Sequence, residues 1–258
     1  MKNRIIELFE NKKENVLNIY FTAGFPDLQD TVRVLKALEN SGVDMVEIGM
    51  PYSDPTADGP TIQDSSEKAL ANGMTIHKLF EQLEGIREHV SIPIVLMGYI
   101  NPVMQYGITE FCDKAGELGI DGTILPDLPF DIYDREFKED FERNNLSNVF
   151  LITPQTSKER ISQFDKTTKG FVYVVSTNST TGSETKVASD MNEYLKRVKD
   201  TSIENPTLIG FNIKDKQSFN NACQYANGAI IGSAFVKMLN ISNNIEKDID
   251  TFVKKIKA

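Results

Sequence analysis

Cysteine and histidine are scarce in this chain, two of each, and no spacing among them suits a metal. His77 and His89 fall in a helical region with no Cys or His at ligand distance, which argues against a zinc site. Cys112 and Cys223 fall in predicted helices and read as reduced, small fillers of a cytosolic protein. Long apolar runs are missing too. None approaches the ~20 residues that span a bilayer. The N-terminal stretch MKNRIIELFENKKEN interleaves charge with an apolar stripe, so it reads as a short amphipathic helix rather than a secretory leader. A cytoplasmic location is the resulting expectation. Basic charge is not in excess: the net charge of −9 argues against binding a nucleic-acid backbone. It leaves room for a local site that holds one small phosphate. Linkers and low-complexity tracts are absent as well, so residues 1–258 are expected to form one domain.

What the chain does have is a repeating strand-then-helix pattern. Eight short apolar runs stand at 17–22, 43–49, 93–99, 122–126, 149–153, 171–176, 208–212 and 229–232. Each is nearly continuous in Val, Ile, Leu, Phe or Met, as strands buried on both faces of a parallel sheet are. Amphipathic stripes lie between them. Met191, Tyr194, Leu195 and Val198 share one helical face, with Asp190 as a plausible N-cap, and Ile249, Phe252, Val253 and Ile256 share another. Eight such units in this length predict an α/β (β/α)8 barrel with an extra N-terminal helix. The competing open, doubly wound sheet usually carries a GxGxxG turn after its first strand. Here that turn reads TAGFPDLQD.

A barrel places its active site at the C-terminal ends of the strands. The stretch VEIGMPYSDPTADGPTIQ, residues 46–63, sits at such an end. Glu47 lies inside an apolar strand, where a carboxyl is costly without a partner or a task. Burial there raises its pKa, which suits a group that both gives and takes a proton. A structural buried acid is the alternative. Asp58, on the following Pro/Gly-rich loop, reads on its own as a turn residue or helix cap, and Asp54 still more so. Tyr20 and Tyr99 fall near the ends of strands 1 and 3. With Met97, Ile124 and Ile152 they are candidates for an apolar, aromatic wall, or for ordinary barrel core. Three loops carry phosphate signals: STNSTTGSET after strand 6, IGFNIKD after strand 7, and Gly232-Ser233-Ala234 opening a helix after strand 8.

These residues closely resemble the signature of the tryptophan synthase alpha subunit family, which reads like E-[LI]-G-[IV]-P-[FY]-S-D-P-x-A-D-G-P-x-I-Q. The likeness extends to YFTAGFP, MGYINP, PDLP, the TTG of the strand 6 loop and GSAFVK. It implies a (β/α)8 barrel that cleaves indole-3-glycerol phosphate to indole and glyceraldehyde 3-phosphate, a retro-aldol reaction with no cofactor. It further implies that Glu47 is the acid–base glutamate and Asp58 the aspartate that holds the indole N–H. Tyr20, Met97, Tyr99, Ile124 and Ile152 match indole-pocket positions. Gly182, Phe211, Gly232 and Ser233 match phosphate-binding positions, with Asn212 among them, and Thr181 matches a loop-closure residue. Asp54 and Asp127 lie where the family meets its partner, a pyridoxal-phosphate beta chain, in an alpha2-beta2 heterotetramer. Indole passes between the two chains.

The chain departs from the pattern twice. Where the family reads S-R-x-G-V-T-G, residues 176–182 read STNSTTG, without the Arg and the first Gly. Where it reads G-F-G-I, Asn212 replaces the second Gly. If that position needs φ > 0, Asn is the least costly substitute. Lys214 just beyond reads more readily as a solvated surface lysine than as a compensating phosphate contact. Two other readings stay open at this point: a Schiff-base aldolase, although no predicted strand core supplies its lysine, and a non-catalytic activator of a beta chain.

Overall fold

The computed structural model describes residues 2–175, 193–201, 203–210 and 212–257. Asp190, Met191, Thr181, Gly182 and Phe211 therefore lie outside the described residues, as does the departure at 176–182. Nine strand segments are present among those described: β1 Val16–Thr22, β2 Met45–Gly49, β3 Ile94–Met97, β4 Gly122–Ile124, β5 Ser147–Val149, β6 Leu151–Ile152, β7 Val172–Val175, β8 Thr207–Gly210 and β9 Gly228–Ile231. They run in the spatial order β5-β4-β3-β2-β1-β9-β8-β7-β6. Every pairing is parallel.

The two outermost segments, β5 and β6, are separated in the chain by Phe150 alone. β5 pairs with β4 and β6 pairs with β7, so one stretch of chain closes the ring. At Phe150 the backbone changes partner, and its carbonyl accepts the Tyr173 N–H at 2.9 Å. The Phe150 ring turns away from the barrel axis and stacks on Phe164 at 4.8 Å. Eight staves result, as the periodicity predicts, with the fifth broken at one residue. That stave begins two residues earlier than the apolar run at 149–153 suggests, because Ser147 and Asn148 are polar yet buried. The Thr168 hydroxyl donates to the Asn148 carbonyl at 2.9 Å, which helps to satisfy this polar start.

Strand side chains alternate between the helical layer and the barrel interior. Val46 and Ile48 face outward and are fully buried under helices. Glu47 faces inward, in register with Tyr20 of β1 on one side and Val95 of β3 on the other. The N-terminal helix Arg4–Asn11 closes the bottom of the barrel and buries Ile5 and Phe9. A Cβ added at Gly122 of β4 would meet the Ile5 side chain, so this plug enters the strand ends directly. Burying two such side chains contributes ~1.5–3 kcal/mol each. Asn3 ties the helix down. Its carboxamide donates to the carbonyls of Asp121 at 2.7 Å and Asn145 at 2.8 Å, and it caps the helix by accepting the Ile5 N–H. At the other end of the chain, helix Ile245–Lys257 buries Ile249, Val253 and Ile256 of the predicted stripe and leaves Phe252 half-buried. Tyr194, Leu195 and Val198 are likewise buried in a helix over 193–200. With its bottom plugged, the barrel is left open to ligands at the C-terminal ends of the strands. No helix among the described residues is long and apolar enough to cross a membrane.

Candidate active site

A cavity of about 460 Å³ opens at that face, and both Glu47 and Asp58 line it. Glu47 reaches it from within β2. Its carboxyl is fully buried, and Oε1 accepts a hydrogen bond from Asn18 Nδ2 at 2.6 Å. Oε2 has no hydrogen-bond partner among the described residues. Burial pushes this carboxyl up to about 8, against the weaker opposing pull of the Asn18 N–H. Near neutral pH Glu47 is therefore largely protonated, with its proton available for transfer.

Asp58 arrives from the loop after β2. Helix Pro60–Ala71 takes Gly59 as its N-cap, with Pro60 in the first turn, where a missing N–H costs nothing. The Asp58 side chain is thereby released from capping. Instead Oδ2 accepts the Tyr99 hydroxyl proton at 2.9 Å. That hydroxyl is itself oriented by the Ala57 N–H, also at 2.9 Å. Partial burial raises the Asp58 pKa and the Tyr99 hydrogen bond opposes the rise. The two acids thus differ in kind: one is sealed in a strand, the other is held by a phenol at the rim. Such a division of environment lets one carboxyl carry a proton while the other carries charge.

Tyr20 and Met97 also line the cavity, while Tyr99 lines a narrow recess beside it that also touches Asp58. The Tyr20 ring enters the barrel because Gly49 opposite has no side chain; a Cβ there would collide with the hydroxyl. That hydroxyl stands 3.4 Å from Thr22 Oγ1, which is 2.7 Å from Ser65 Oγ, and Ser65 donates to the Ile62 carbonyl. Ile124 and Ile152 are fully buried at their strand ends and do not line the cavity in this structure. Tyr173 of β7 does line it, again opposite a glycine, Gly210. Its hydroxyl in the otherwise apolar run FVYVV was the available signal, and sequence reasoning passed over it. Asn18 was missed as well.

The remaining wall is suited to an anion. Gly232 is the N-cap of helix Ser233–Asn240, and Gly232, Ser233 and Ala234 all line the cavity. Free N–H groups and the positive end of the helix dipole gather there. Asn212 lines the same wall with φ of 58°, the left-handed conformation in which Asn replaces Gly at least cost. Lys214 and Lys237 supply positive charge. Asp54 and Asp127 lie outside the cavity, exposed on loops at the same barrel face. Asp54 accepts from the Ser53 hydroxyl and Asp127 from the Ile100 N–H.

Fold and site together describe a (β/α)8 barrel with two carboxyls in different environments and a wall suited to an anion in one cavity. Comparison with known proteins narrows this class. The family model described as "Tryptophan synthase alpha chain" matches residues 6–258. A tryptophan synthase alpha chain of Christiangramia forsetii is 54% identical over 256 residues, covering 99% of both chains. That of Flavobacterium johnsoniae is 51% identical over 255 residues, covering 99% of this chain and 100% of its own. Among solved structures, the tryptophan synthase subunit alpha from Legionella pneumophila superimposes with a TM-score of 0.88 at 29% identity, covering 100% of this chain and 98% of that one. The tryptophan synthase complex from Pyrococcus furiosus matches with a TM-score of 0.85 at 34% identity, covering 95% and 99%. The chain belongs to the tryptophan synthase alpha chain family. It is a lyase, and its reaction is the cleavage of indole-3-glycerol phosphate to indole and glyceraldehyde 3-phosphate. The Schiff-base aldolase reading falls with that assignment.

Proposed function

We propose that Glu47 and Asp58 carry this cleavage between them. The aromatic ring cannot release its side chain directly, because an aryl anion would have to leave. Glu47 first gives its proton to the ring carbon that bears the glycerol side chain. The ring nitrogen becomes cationic, and ionised Asp58 accepts its N–H and stabilises the charge. The Glu47 carboxylate then takes the proton of the glycerol hydroxyl. The hydroxyl electrons form the aldehyde, the carbon–carbon bond breaks, and its electron pair restores the aromatic ring. The proton on Glu47 is regenerated, so the cycle balances without a cofactor on this chain.

The observation that carries this reading is the convergence of a buried, proton-holding carboxyl and a phenol-held one on a single cavity of about 460 Å³. Tyr20, Met97 and Tyr99 form the indole side, and Ile124 and Ile152 back it from the core. Gly232, Ser233 and Asn212 receive the phosphate, joined by Phe211 and Gly182, and Thr181 serves loop closure. Asp54 and Asp127 face a tryptophan synthase beta chain, the owner of the pyridoxal phosphate, in an alpha2-beta2 heterotetramer within the cytoplasm. Indole passes to that chain for L-tryptophan synthesis. Indole release from indole-3-glycerol phosphate, measured with and without a beta chain, tests the assignment. The expected result is slow release by the isolated chain, faster release with the partner, and none in Glu47→Gln. A Glu47→Gln enzyme that still releases indole would end it.

A further inference from the structure

Asn18 stands two residues before Tyr20 on β1, at an inward position that an aliphatic side chain would ordinarily fill. It is fully buried, as is Glu47. Among the described residues its carboxamide makes one hydrogen bond, the 2.6 Å donation to Glu47 Oε1, and its Oδ1 has no partner. A buried amide that leaves its own acceptor unsatisfied is a cost to the fold. That cost points to a task at the group to which the amide donates, Glu47.

We propose that Asn18 is the positioning residue for Glu47: its N–H occupies Oε1 and so assigns the transferable proton to Oε2. The inference rests on the acid–base reading of Glu47. Oε1 already accepts at short range, and Oε2 is the oxygen left without a partner. Asn18 thus fixes which oxygen acts as donor, holds the carboxyl plane toward the ring, and favours the carboxylate that forms after the proton leaves. The other titratable groups facing Glu47 are Tyr20 from β1 and Tyr173 from β7, with Asp58 from the loop after β2. Both tyrosines are held neutral by burial, and Lys214 and Lys237 line the same cavity.

The test compares Asn18→Leu with the wild-type chain, each saturated with its beta chain, by kcat and KM across pH. A titration of the carboxyl of 13C-labelled Glu47 by NMR accompanies it. Losing the amide is expected to lower kcat by about tenfold or more while KM changes by less than about threefold. The alkaline limb of kcat and the NMR titration of Glu47 should both move to higher pH, because the Asn18 hydrogen bond that favours the charged form is gone. If Asn18→Leu does not fold, Asn18→Ser replaces it, with the same direction of change expected because the shorter side chain stops short of the carboxyl. An unchanged Glu47 titration, or a change in KM alone, overturns the proposal. Glu47→Gln in the same assay keeps the two readings apart. If it retains kcat, the acid–base assignment fails, whereas the NMR shift still reports whether Asn18 governs the carboxyl.

Discussion

Burial of Glu47 makes the stability of the fold depend on pH. An unfolded Glu titrates near 4.5, whereas burial in β2 pushes this one up to about 8. Between those values the native state holds a proton that the unfolded chain has released. The stabilising contribution is thus complete below about pH 4.5, is lost as the pH rises through about 8, and stays lost above it. The full difference is on the order of a few kcal/mol. Glu47→Gln removes the titration and leaves an uncharged isostere. Its melting temperature should exceed that of the wild type at about pH 9, with the gap closing toward about pH 5. Thermal melts across pH check this, and a gap that does not vary with pH would contradict it. On the proposed mechanism Asp58 acts through charge rather than proton storage. Asp58→Asn should lower kcat for indole release by about 10²–10³ and leave stability nearly unchanged. Tyr99→Phe, which removes the hydrogen bond to Asp58, should cost less.

Two loops show how an element delivers a side chain. After β2, Gly59 and Pro60 start the helix without help from Asp58, which frees the carboxyl for the cavity. The composition of PTADGP did not reveal this, because Asp, Gly and Pro suit a cap as well as a site; the choice between them is made by which residue adopts the N-cap conformation. After β8, Asn212 holds φ of 58°. Asn212→Gly should be tolerated. Asn212→Val should cost about 1–2 kcal/mol and raise KM for the phosphate substrate, as a denaturation curve and steady-state kinetics would report. The need for a left-handed residue here was legible, since Asn replaces Gly in an otherwise matching motif. The staves were legible for a simpler reason: strands buried on both faces are continuous apolar runs. The start of the fifth stave was hidden because Ser147 and Asn148 are polar yet buried, where Asn148 Oδ1 accepts the Thr123 hydroxyl at 3.2 Å. Ile124 and Ile152 mark the depth limit of such reading. Alternation told which face they share but not whether they reach the cavity or lie beneath it.

At the scale of the whole molecule, the barrel separates its stability from its function. The helix Arg4–Asn11, Asn3 and the Asp121 carboxyl, paired with Arg4 and Arg87, lock the bottom. The opposite face carries the cavity and, beside it, the exposed acids Asp54 and Asp127. Charge reversal of either acid should weaken binding to the beta chain by about tenfold or more. It should leave the slow indole release of the isolated chain unchanged, as titration calorimetry and the uncoupled assay would show. One measurement reaches the central claim most directly: a crystal structure of Glu47→Gln with indole-3-glycerol phosphate bound. The expected density shows the ring N–H on Asp58, the substituted ring carbon against residue 47, and the phosphate on Gly232, Ser233 and Asn212. A ring bound with residues 47 and 58 on the same side of its plane and neither in contact, or a phosphate held elsewhere, would contradict it.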